Sequence, residues 1–242
     1  MLKVELHTHT ADDPVDAIPH TTHELIDHAV ALGYDAIAIT LHDRQLDLRA
    51  VVPYAAERGL VLIPGIERTI EGRHVLLLNY AGGAEDVRTF ADLARLRKRA
   101  RGLVVAPHAF FPGTSCVGKD LERHPDLFDA VERNAMFIRG LDFNRAAERF
   151  ALRHGKPIVG NCDVHRLVQL GSTYSLVDAE RDPDAICEAI GEGRVRVESR
   201  PITWALAARV MLALAFAGSP QNGLDRKAGR IDIDDDGVLE MQ

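Results

Sequence analysis

The chain has 242 residues, a length that suits one large domain or two small ones. Hydrophobic residues make up 46% of it and charged residues 27%, which excludes intrinsic disorder, collagen-like repeats and a disulfide scaffold. The formal net charge of −7 repels duplex phosphate on average, so it argues against nucleic acid as a partner unless a local basic patch exists.

Short β-rich runs alternate with helical runs along the whole chain. Strands are predicted at 3–6, 36–40, 60–67, 74–80, 103–108, 127–132, 157–163, 172–177 and 195–199. Helices are predicted at 22–32, 47–58, 84–100, 142–154 and 183–191. Because most strands carry apolar side chains on both faces, we expect a parallel sheet covered by helices. About seven such units predict an α/β fold with a closed or nearly closed barrel.

The chain becomes polar after residue 217. We therefore predict one barrel domain at 1–217 and a polar C-terminal extension at 218–242. The apolar run at 202–217 is shorter than the roughly 20 residues of a membrane span and has Arg209 in its middle. It is predicted as a helix that packs on the barrel or on a second copy of the chain, which would make a homo-oligomer.

The expected compartment is the cytoplasm. The three cysteines are an odd number without paired spacing, and the first residues lack the apolar core of a signal peptide. The one basic run, at 95–101, is interpreted as the solvated face of a helix.

Histidines and carboxylates stand at the ends of almost every predicted strand. They are His7, His9, His42, Asp43, Glu67, His108, Glu132, Asp163 and His165, and His74 opens its run instead of ending it. In a β/α barrel, the C-terminal ends of the strands converge on one face, where the active site lies. We therefore expect these side chains at a common rim.

Such a cluster predicts a metal site. Unpaired imidazoles and carboxylates crowded together cost several kcal/mol, and divalent cations remove that cost. Imidazole and carboxylate ligands together suit zinc, iron and manganese better than calcium. His7 and His9 point to the same face of a strand, and Asp163 and His165 repeat this spacing. Two such pairs favour more than one ion, and the two oxygens of Glu67 could bridge two ions.

An ordered set of motifs resembles the polymerase and histidinol phosphatase (PHP) superfamily. These motifs are HTHT at 7–10, ITLHD at 39–43, GIE at 65–67, APH at 106–108 and GNCDVH at 160–165. The resemblance spans residues 4 to about 200. It implies a distorted (β/α)7 TIM-like barrel, up to three metal ions and, in most members, phosphoester hydrolysis.

The resemblance also implies a ligand set, carried over motif by motif. One ion would be held by His7, His9, Glu67 and Asp163. A second would be held by His42, His165 and an acidic residue of the loop after HTHT. A third would be held by Glu67, His74 and His108. The cofactors expected are thus two or three zinc, manganese or iron ions.

Two departures from the family pattern concern the same region. The segment 11–14, ADDP, stands where phosphatase members usually show S-D-G. The loop ligand is then Asp12 or Asp13, with Asp13 preferred after a one-residue deletion and His20 as the alternative. Leu41 replaces the acidic residue usual before His42, so a hydrogen-bond partner of a metal-binding histidine is expected to be missing.

The sequence predicts a metal-dependent phosphoesterase that hydrolyses a small-molecule phosphate ester with a metal-activated water. Arg44, Arg68 and Arg166 each follow a rim residue and are candidates to hold the phosphate, because a guanidinium forks onto two oxygens. The candidates for protonating the leaving oxygen are Asp43 and His165.

Two alternatives keep the metals and change the function. An amidohydrolase-like enzyme acting on C–N or C–O bonds also uses an H-x-H pair on its first strand and an Asp on its last. Its usual bridge is a carbamylated lysine, and no predicted strand ends in lysine, which favours Glu67 as the bridge. A catalytically silent metal-binding module is less favoured, since the ligand set is complete.

Overall fold

The computed structural model describes residues 1–209, within which nine strands and six α-helices alternate. The strands are β1 (Leu2–Glu5), β2 (Ala36–Ile39), β3 (Val61–Ile70), β4 (Arg73–Leu78), β5 (Leu103–Ala106), β6 (Ala130–Asn134), β7 (Ile158–Asn161), β8 (Thr173–Val177) and β9 (Val195–Ser199). The helices are α1 (Thr22–Ala31), α2 (Val52–Glu57), α3 (Phe90–Arg99), α4 (Lys119–Arg123), α5 (Asn144–His154) and α6 (Pro183–Gly191). All nine strands match predicted runs, whereas α4 was not predicted.

The predicted helix at 84–100 begins later than its hydrophobic pattern suggests. Its first helical residue is Phe90, because Thr89 and Asp92 form a reciprocal capping box that satisfies the free N–H groups at this end. The predicted helix at 47–58 is divided into a 3₁₀ turn at Leu48–Ala50 and α2.

The nine strands form one sheet in the order β7-β6-β5-β4-β3-β2-β1-β8-β9. Pairing is parallel from β1 to β3 and from β5 to β7. However, β4 runs antiparallel to both neighbours, and β8 and β9 are antiparallel as well, so the expectation of an all-parallel sheet is wrong for these strands. The reason for β4 is the two-residue turn at Glu71 and Gly72, whose φ angles of 50° and 79° form a tight hairpin.

The sheet curves into a nearly closed barrel. Beyond the ends of β1 and β7, Thr8 and Val164 form a parallel bridge, in which Val164 exchanges backbone hydrogen bonds with His7 and His9. Lower in the barrel, Gly160 of β7 packs so closely on β8 and β9 that a Cβ atom would lie 2.7 Å from a Val197 methyl group. The α/β class and the distorted TIM-like barrel are confirmed.

Alternation along the strands divides the core into an inner and an outer layer. In β2, Ala36 and Ala38 face the barrel interior, whereas Ile37 and Ile39 pack in the outer layer with residues of α1. Helix α6 joins the inner cluster near Leu103, the first residue of β5, and so covers the end of the barrel where the parallel strands begin. The opposite end stays open for polar residues.

The predicted extension at 218–242 lies outside the described residues. Of the predicted helix at 202–217, residues 204–209 are described and helical, and Trp204 is 69% exposed. No helix in the described part of the chain is long and apolar enough to cross a membrane.

Candidate metal centre

The open end of the barrel brings the predicted rim residues together. The parallel strands β1, β2, β5 and β7 are followed by their polar residues, whereas Glu67 and Glu132 lie within the C-terminal parts of β3 and β6. His74 reaches the same rim from the beginning of β4, because that strand is antiparallel and its residue 74 pairs with Thr69 near the end of β3.

Glu67 is the centre of the cluster and is 1% exposed. Its Oε2 atom lies 3.2 Å from Nε2 of His7, 3.3 Å from Nε2 of His9 and 3.2 Å from Nε2 of His42. Three imidazoles from two strand ends thus direct the same ring atom at one carboxylate oxygen.

The other oxygen of Glu67 meets two further imidazoles. Its Oε1 atom lies 2.8 Å from Nδ1 of His74 and 3.2 Å from Nε2 of His108. Because the two oxygens face different sets of histidines, Glu67 has the geometry of a bridge between ion positions.

Asp163 forms the second wall of the cluster. Its Oδ1 atom lies 3.3 Å from Nε2 of His7, 3.5 Å from Nε2 of His9 and 3.3 Å from Nδ1 of His165. His7, His9, Glu67 and Asp163 therefore stand together as the resemblance implies for one ion.

Opposite charges balance each other in this cluster. Burial alone would lower the pKa of His9, but the carboxylates of Asp13, Asp163 and Glu67 outweigh it and raise that pKa to about 10. Burial would raise the pKa of Glu67, but the surrounding imidazoles, His7 first, hold it well below its usual range. Protons on the imidazoles thus supply the positive charge that cations would otherwise supply.

The donor atoms fit divalent metal ions. Four sets of three ligand atoms lie within 4.8 Å of one another: His7–His9–Glu67, His9–His42–His165, His42–Glu67–His74 and His7–His108–Asp163. Nε2 of His7, Nε2 of His9 and Oδ1 of Asp163 are buried without a hydrogen-bond partner. Buried polar atoms are rarely left in this state, so we conclude that the donor set suits metal ligation.

Asp13 occupies a different place from the one expected. Its Oδ2 atom lies 2.9 Å from Nδ1 of His9 and 3.0 Å from Nδ1 of His42, whereas the Nε2 atoms of these rings face Glu67. Asp13 therefore contacts the ring nitrogens of His9 and His42 that do not face Glu67. Asp12 is exposed, and Nε2 of His20 donates to the backbone oxygen of His9, so neither alternative reaches the cluster.

Asp16 was missed by the sequence analysis. Its Oδ2 atom lies 3.0 Å from Nε2 of His165 and 3.9 Å from Nδ1 of His42, at the position expected for the loop acid. The available signal was a third carboxylate in the segment 12–16, DDPVD, but its distance from the HTHT motif gave no reason to prefer it.

Glu132 was placed at the rim by the sequence analysis but not assigned to the site. Its Oε2 atom lies 2.9 Å from Nδ1 of His7 and accepts a hydrogen bond from Asn161. Its Oε1 atom accepts from the backbone N–H of His108 and from Asn134. One fully buried carboxylate thus orients two candidate ligands.

Three rim residues have left-handed backbone conformations. The φ angles are 54° for Asp43, 31° for His108 and 53° for Asp163. Such conformations cost of order 1–3 kcal/mol in residues other than glycine and cluster at functional sites. Their occurrence at three strand ends around one cluster supports a functional role for this rim.

The three arginine candidates fall into two groups. Arg68 is 1% exposed and donates to Oδ1 of Asp43 at 2.6 Å and to the backbone oxygen of Val87 at 2.6 Å. It is therefore committed to the barrel wall, which corrects its expected role as a phosphate ligand. Arg44 is exposed and Arg166 half-buried, so their guanidinium groups can still reach a ligand.

Asp43 is also engaged by neighbouring groups. Besides the Arg68 guanidinium, its carboxylate accepts the backbone N–H and the hydroxyl of Thr69 at 2.7 and 3.0 Å. Both carboxylate oxygens of Asp43 are therefore held by Arg68 and Thr69.

Comparison with known proteins gives one family match. A family model described as PHP-associated matches residues 142–195, which run from just before α5 to the start of β9. A search of curated proteins finds no match.

Solved structures share the barrel at low sequence identity. A two-domain protein from Bacteroides vulgatus, described as containing a predicted PHP-like metal-dependent phosphoesterase, has a TM-score of 0.64 and 19% identity over 82% of this chain and 65% of its own. PsfC from Pseudomonas syringae has a TM-score of 0.62 and 17% identity over 89% of this chain and 97% of its own. At these identities the likeness establishes the fold alone.

An endonuclease Q structure changes one expectation. It holds a 27-mer duplex substrate with an abasic lesion at the active site, and it matches with a TM-score of 0.51 and 17% identity. The match covers 79% of this chain and 55% of that one. Because this barrel fold also accommodates a DNA substrate, the argument from net charge against nucleic acid as a partner is wrong.

Proposed function

We propose that this protein is a metal-dependent phosphoesterase, from its resemblance to the PHP superfamily, which the PHP-associated match and the shared barrel support. The observation that carries the proposal is the convergence of five imidazoles on the two oxygens of Glu67 at the open end of the barrel. A hydrolase site on this end is the usual arrangement in β/α barrels.

The proposed ligands form a multinuclear site with up to three ion positions. Eight belong to the four sets of ligand atoms: His7, His9, His42, Glu67, His74, His108, Asp163 and His165. We add Asp16, because its Oδ2 atom lies 3.0 Å from Nε2 of His165. When bound, zinc, manganese or iron in such a site polarises a phosphoryl oxygen and lowers the pKa of water toward neutrality.

The phosphate itself needs a positively charged partner from the chain. We propose Arg44 and Arg166 for this role, because each follows a rim residue and retains some solvent exposure. A guanidinium can donate two parallel hydrogen bonds to phosphate oxygens, which fixes the orientation of the ester as well as its charge.

Protonation of the leaving oxygen is the alternative to metal ligation for His165. The neighbouring carboxylates of Asp163 and Asp16 outweigh the effect of burial and raise its pKa to about 10, so it carries a proton at neutral pH when no cation is bound. The same imidazole is a candidate ligand, and the two roles exclude each other in one step. His165→Asn separates them, because a ligand role lowers metal content and a donor role changes only the alkaline limb of the rate profile.

Metal analysis combined with an aryl phosphate assay tests the proposal. We expect two or three transition-metal ions per chain and at least a hundredfold loss of turnover in His108→Asn and Asp163→Asn. His23→Asn is the matched control, because His23 is exposed on α1 and belongs to no ligand set. Metal-loaded protein that cleaves no phosphoester would contradict the proposal.

The proposed substrate class is a small phosphate ester, and a nucleic-acid ester is tested beside it. The substrate series should therefore contain aryl phosphates, alkyl phosphates and a DNA duplex with one abasic site. The bond type is tested by an amide and a lactone series, where turnover above that of phosphoesters would favour an amidohydrolase-like activity.

A further inference from the structure

Asp13 accepts more hydrogen bonds than any other carboxylate of the site. Its Oδ2 atom faces Nδ1 of His9 at 2.9 Å, Nδ1 of His42 at 3.0 Å and the backbone N–H of His42 at 3.0 Å. Its Oδ1 atom accepts the backbone N–H groups of Val15 and Asp16, each at 2.9 Å. The side chain is fully buried.

Both oxygens of Asp13 are already engaged. Two imidazole Nδ1 atoms lie within 3.0 Å of Oδ2, and three backbone N–H groups, which cannot themselves bind an ion, donate to the carboxylate; a carboxylate offers about four lone-pair sites. A hydrogen bond from Nδ1 to a carboxylate places the ring proton on Nδ1 and directs the free lone pair of Nε2 away from it. In His9 and His42 that Nε2 atom faces Glu67, at 3.3 and 3.2 Å.

The same carboxylate also sets the position of the loop acid. The N–H of Asp16 is bound to Oδ1 of Asp13, and the carboxylate of Asp16 lies 3.0 Å from Nε2 of His165. Asp13 thus fixes three of the four side chains around one proposed ion position, namely His9, His42 and Asp16.

We propose that Asp13 is a positioning residue that selectively supports the ion bound by His9, His42, His165 and Asp16. Because Nδ1 of His9 faces Asp13, only its Nε2 atom can bind an ion, and we assign it to this ion instead of the one held by His7, Glu67 and Asp163. The inference rests on the proposed metal centre but not on the reaction catalysed there. The position formed by His7, His108 and Asp163 has its own support, because Glu132 holds Nδ1 of His7 and the backbone of His108. Loss of Asp13 therefore weakens one ion position and leaves the other intact.

Asp13→Asn tests this selectivity with Zn²⁺ as the probe. The amide keeps the size of the carboxylate, but its NH2 group cannot accept a hydrogen bond. It must face either the nitrogens of His9 and His42 or the backbone N–H groups of Val15 and Asp16. We expect a 10–100-fold weaker affinity for one zinc ion per chain and changes below threefold for the others, measured by competition with a chromophoric chelator. Asp12→Asn is the matched control, because its carboxylate is exposed and accepts only from the hydroxyls of Thr10 and Thr22.

A second measurement reports on the histidines directly. In zinc-loaded protein labelled with ¹⁵N-histidine, we expect His9 and His42 to carry their proton on Nδ1, and these two signals alone to shift in Asp13→Asn. The inference is overturned if all zinc affinities stay unchanged, or if every zinc ion is lost together with the fold. Neither measurement depends on turnover, so a failure of the phosphoesterase proposal leaves this result interpretable.

Discussion

Glu67 and Glu132 are buried carboxylates that face opposite ring atoms of His7. Glu67 lies 3.2 Å from Nε2 of this histidine, and Glu132 lies 2.9 Å from its Nδ1. Burial would raise the pKa of Glu132, but the charge and hydrogen bond of His7 lower it instead. In metal sites, a carboxylate typically contacts one ring nitrogen of a histidine while the other nitrogen binds the ion. The carboxylate then fixes the orientation of the ring.

Glu132→Gln should weaken binding at the ion position of His7. The amide cannot accept all four hydrogen bonds that the carboxylate accepts, so we expect 10–100-fold lower zinc affinity and a loss of about 1–3 kcal/mol in the unfolding free energy of the metal-free protein. Chelator competition and denaturant unfolding measure the two effects. Glu198→Gln, on the exposed side of β9, should change neither.

Arg68 and Arg166 should respond differently to the same substitution. Arg68→Met leaves the buried backbone oxygen of Val87 without a donor and is expected to cost about 1–3 kcal/mol of stability, with little change in the KM for an aryl phosphate. Arg166→Met should raise that KM and leave the melting temperature within about a degree. If Arg68→Met folds and its KM rises strongly, the prediction is wrong and Arg68 binds the phosphate.

The hairpin of β3 and β4 explains why the candidate ligand His74 lies at the beginning of its strand and still reaches the rim. A βαβ unit places each new strand parallel to the last, but the two-residue turn at Glu71 and Gly72 reverses the chain at once. His74 therefore lies at the rim near the beginning of β4, where it pairs with Thr69. His74 lies beside Glu67 at the rim, and the direction of its strand follows from the turn.

Gly160 lies where β7 packs closely against β8 and β9. An alanine Cβ would lie 2.7 Å from a methyl group of Val197 and 2.9 Å from the backbone oxygen of Tyr174, which cannot move away easily. Gly160→Ala should therefore cost about 1–3 kcal/mol through overpacking, measured by denaturant unfolding. Gly82→Ala, with no atom within 4 Å of the new Cβ, should be close to neutral.

For the protein as a whole, the raised pKa values of His9 and His165 link the stability of the metal-free form to pH. The carboxylates around His9 and His165 outweigh burial and raise both pKa values to about 10, against about 6.5 when unfolded. These groups stabilise the folded state fully below pH 6.5, and the contribution is lost as the pH rises to about 10. Burial raises the pKa of Glu5 to about 8, which adds a loss in the same direction between about pH 4.5 and 8.

The metal-free protein should therefore become less stable as the pH rises from 6.5 to 9.5. The lowered pKa values of Asp13 and Glu67 affect stability only at acid pH, so they do not oppose this trend. Zinc replaces the protons as the source of positive charge, so the melting temperature of zinc-loaded protein should fall less over the same range. Thermal unfolding with EDTA and with excess Zn²⁺ measures both slopes, and equal slopes would contradict the assignment.

Periodicity and motif order predicted most of the architecture and the ligand types. All nine strands, the barrel class and the convergence of His7, His9 and Glu67 follow from residue patterns that act locally or repeat along the chain. By contrast, no pattern distinguished Asp13 from Asp16, because both lie in one short loop and differ only in which histidine nitrogen they face.

The amino-acid order alone was sufficient for the nine strands, for five of the six α-helices named above and for the candidate ligands at the strand ends, since hydrophobic spacing and strand ends express local preferences. The direction of β4, the burial of Arg68 against Asp43 and the position of Asp13 behind His9 and His42 depended on the folded barrel. These features are set by contacts between segments far apart in the chain. Whether a carboxylate binds an ion or orients a ligand depends on how many N–H groups the fold brings to its oxygens.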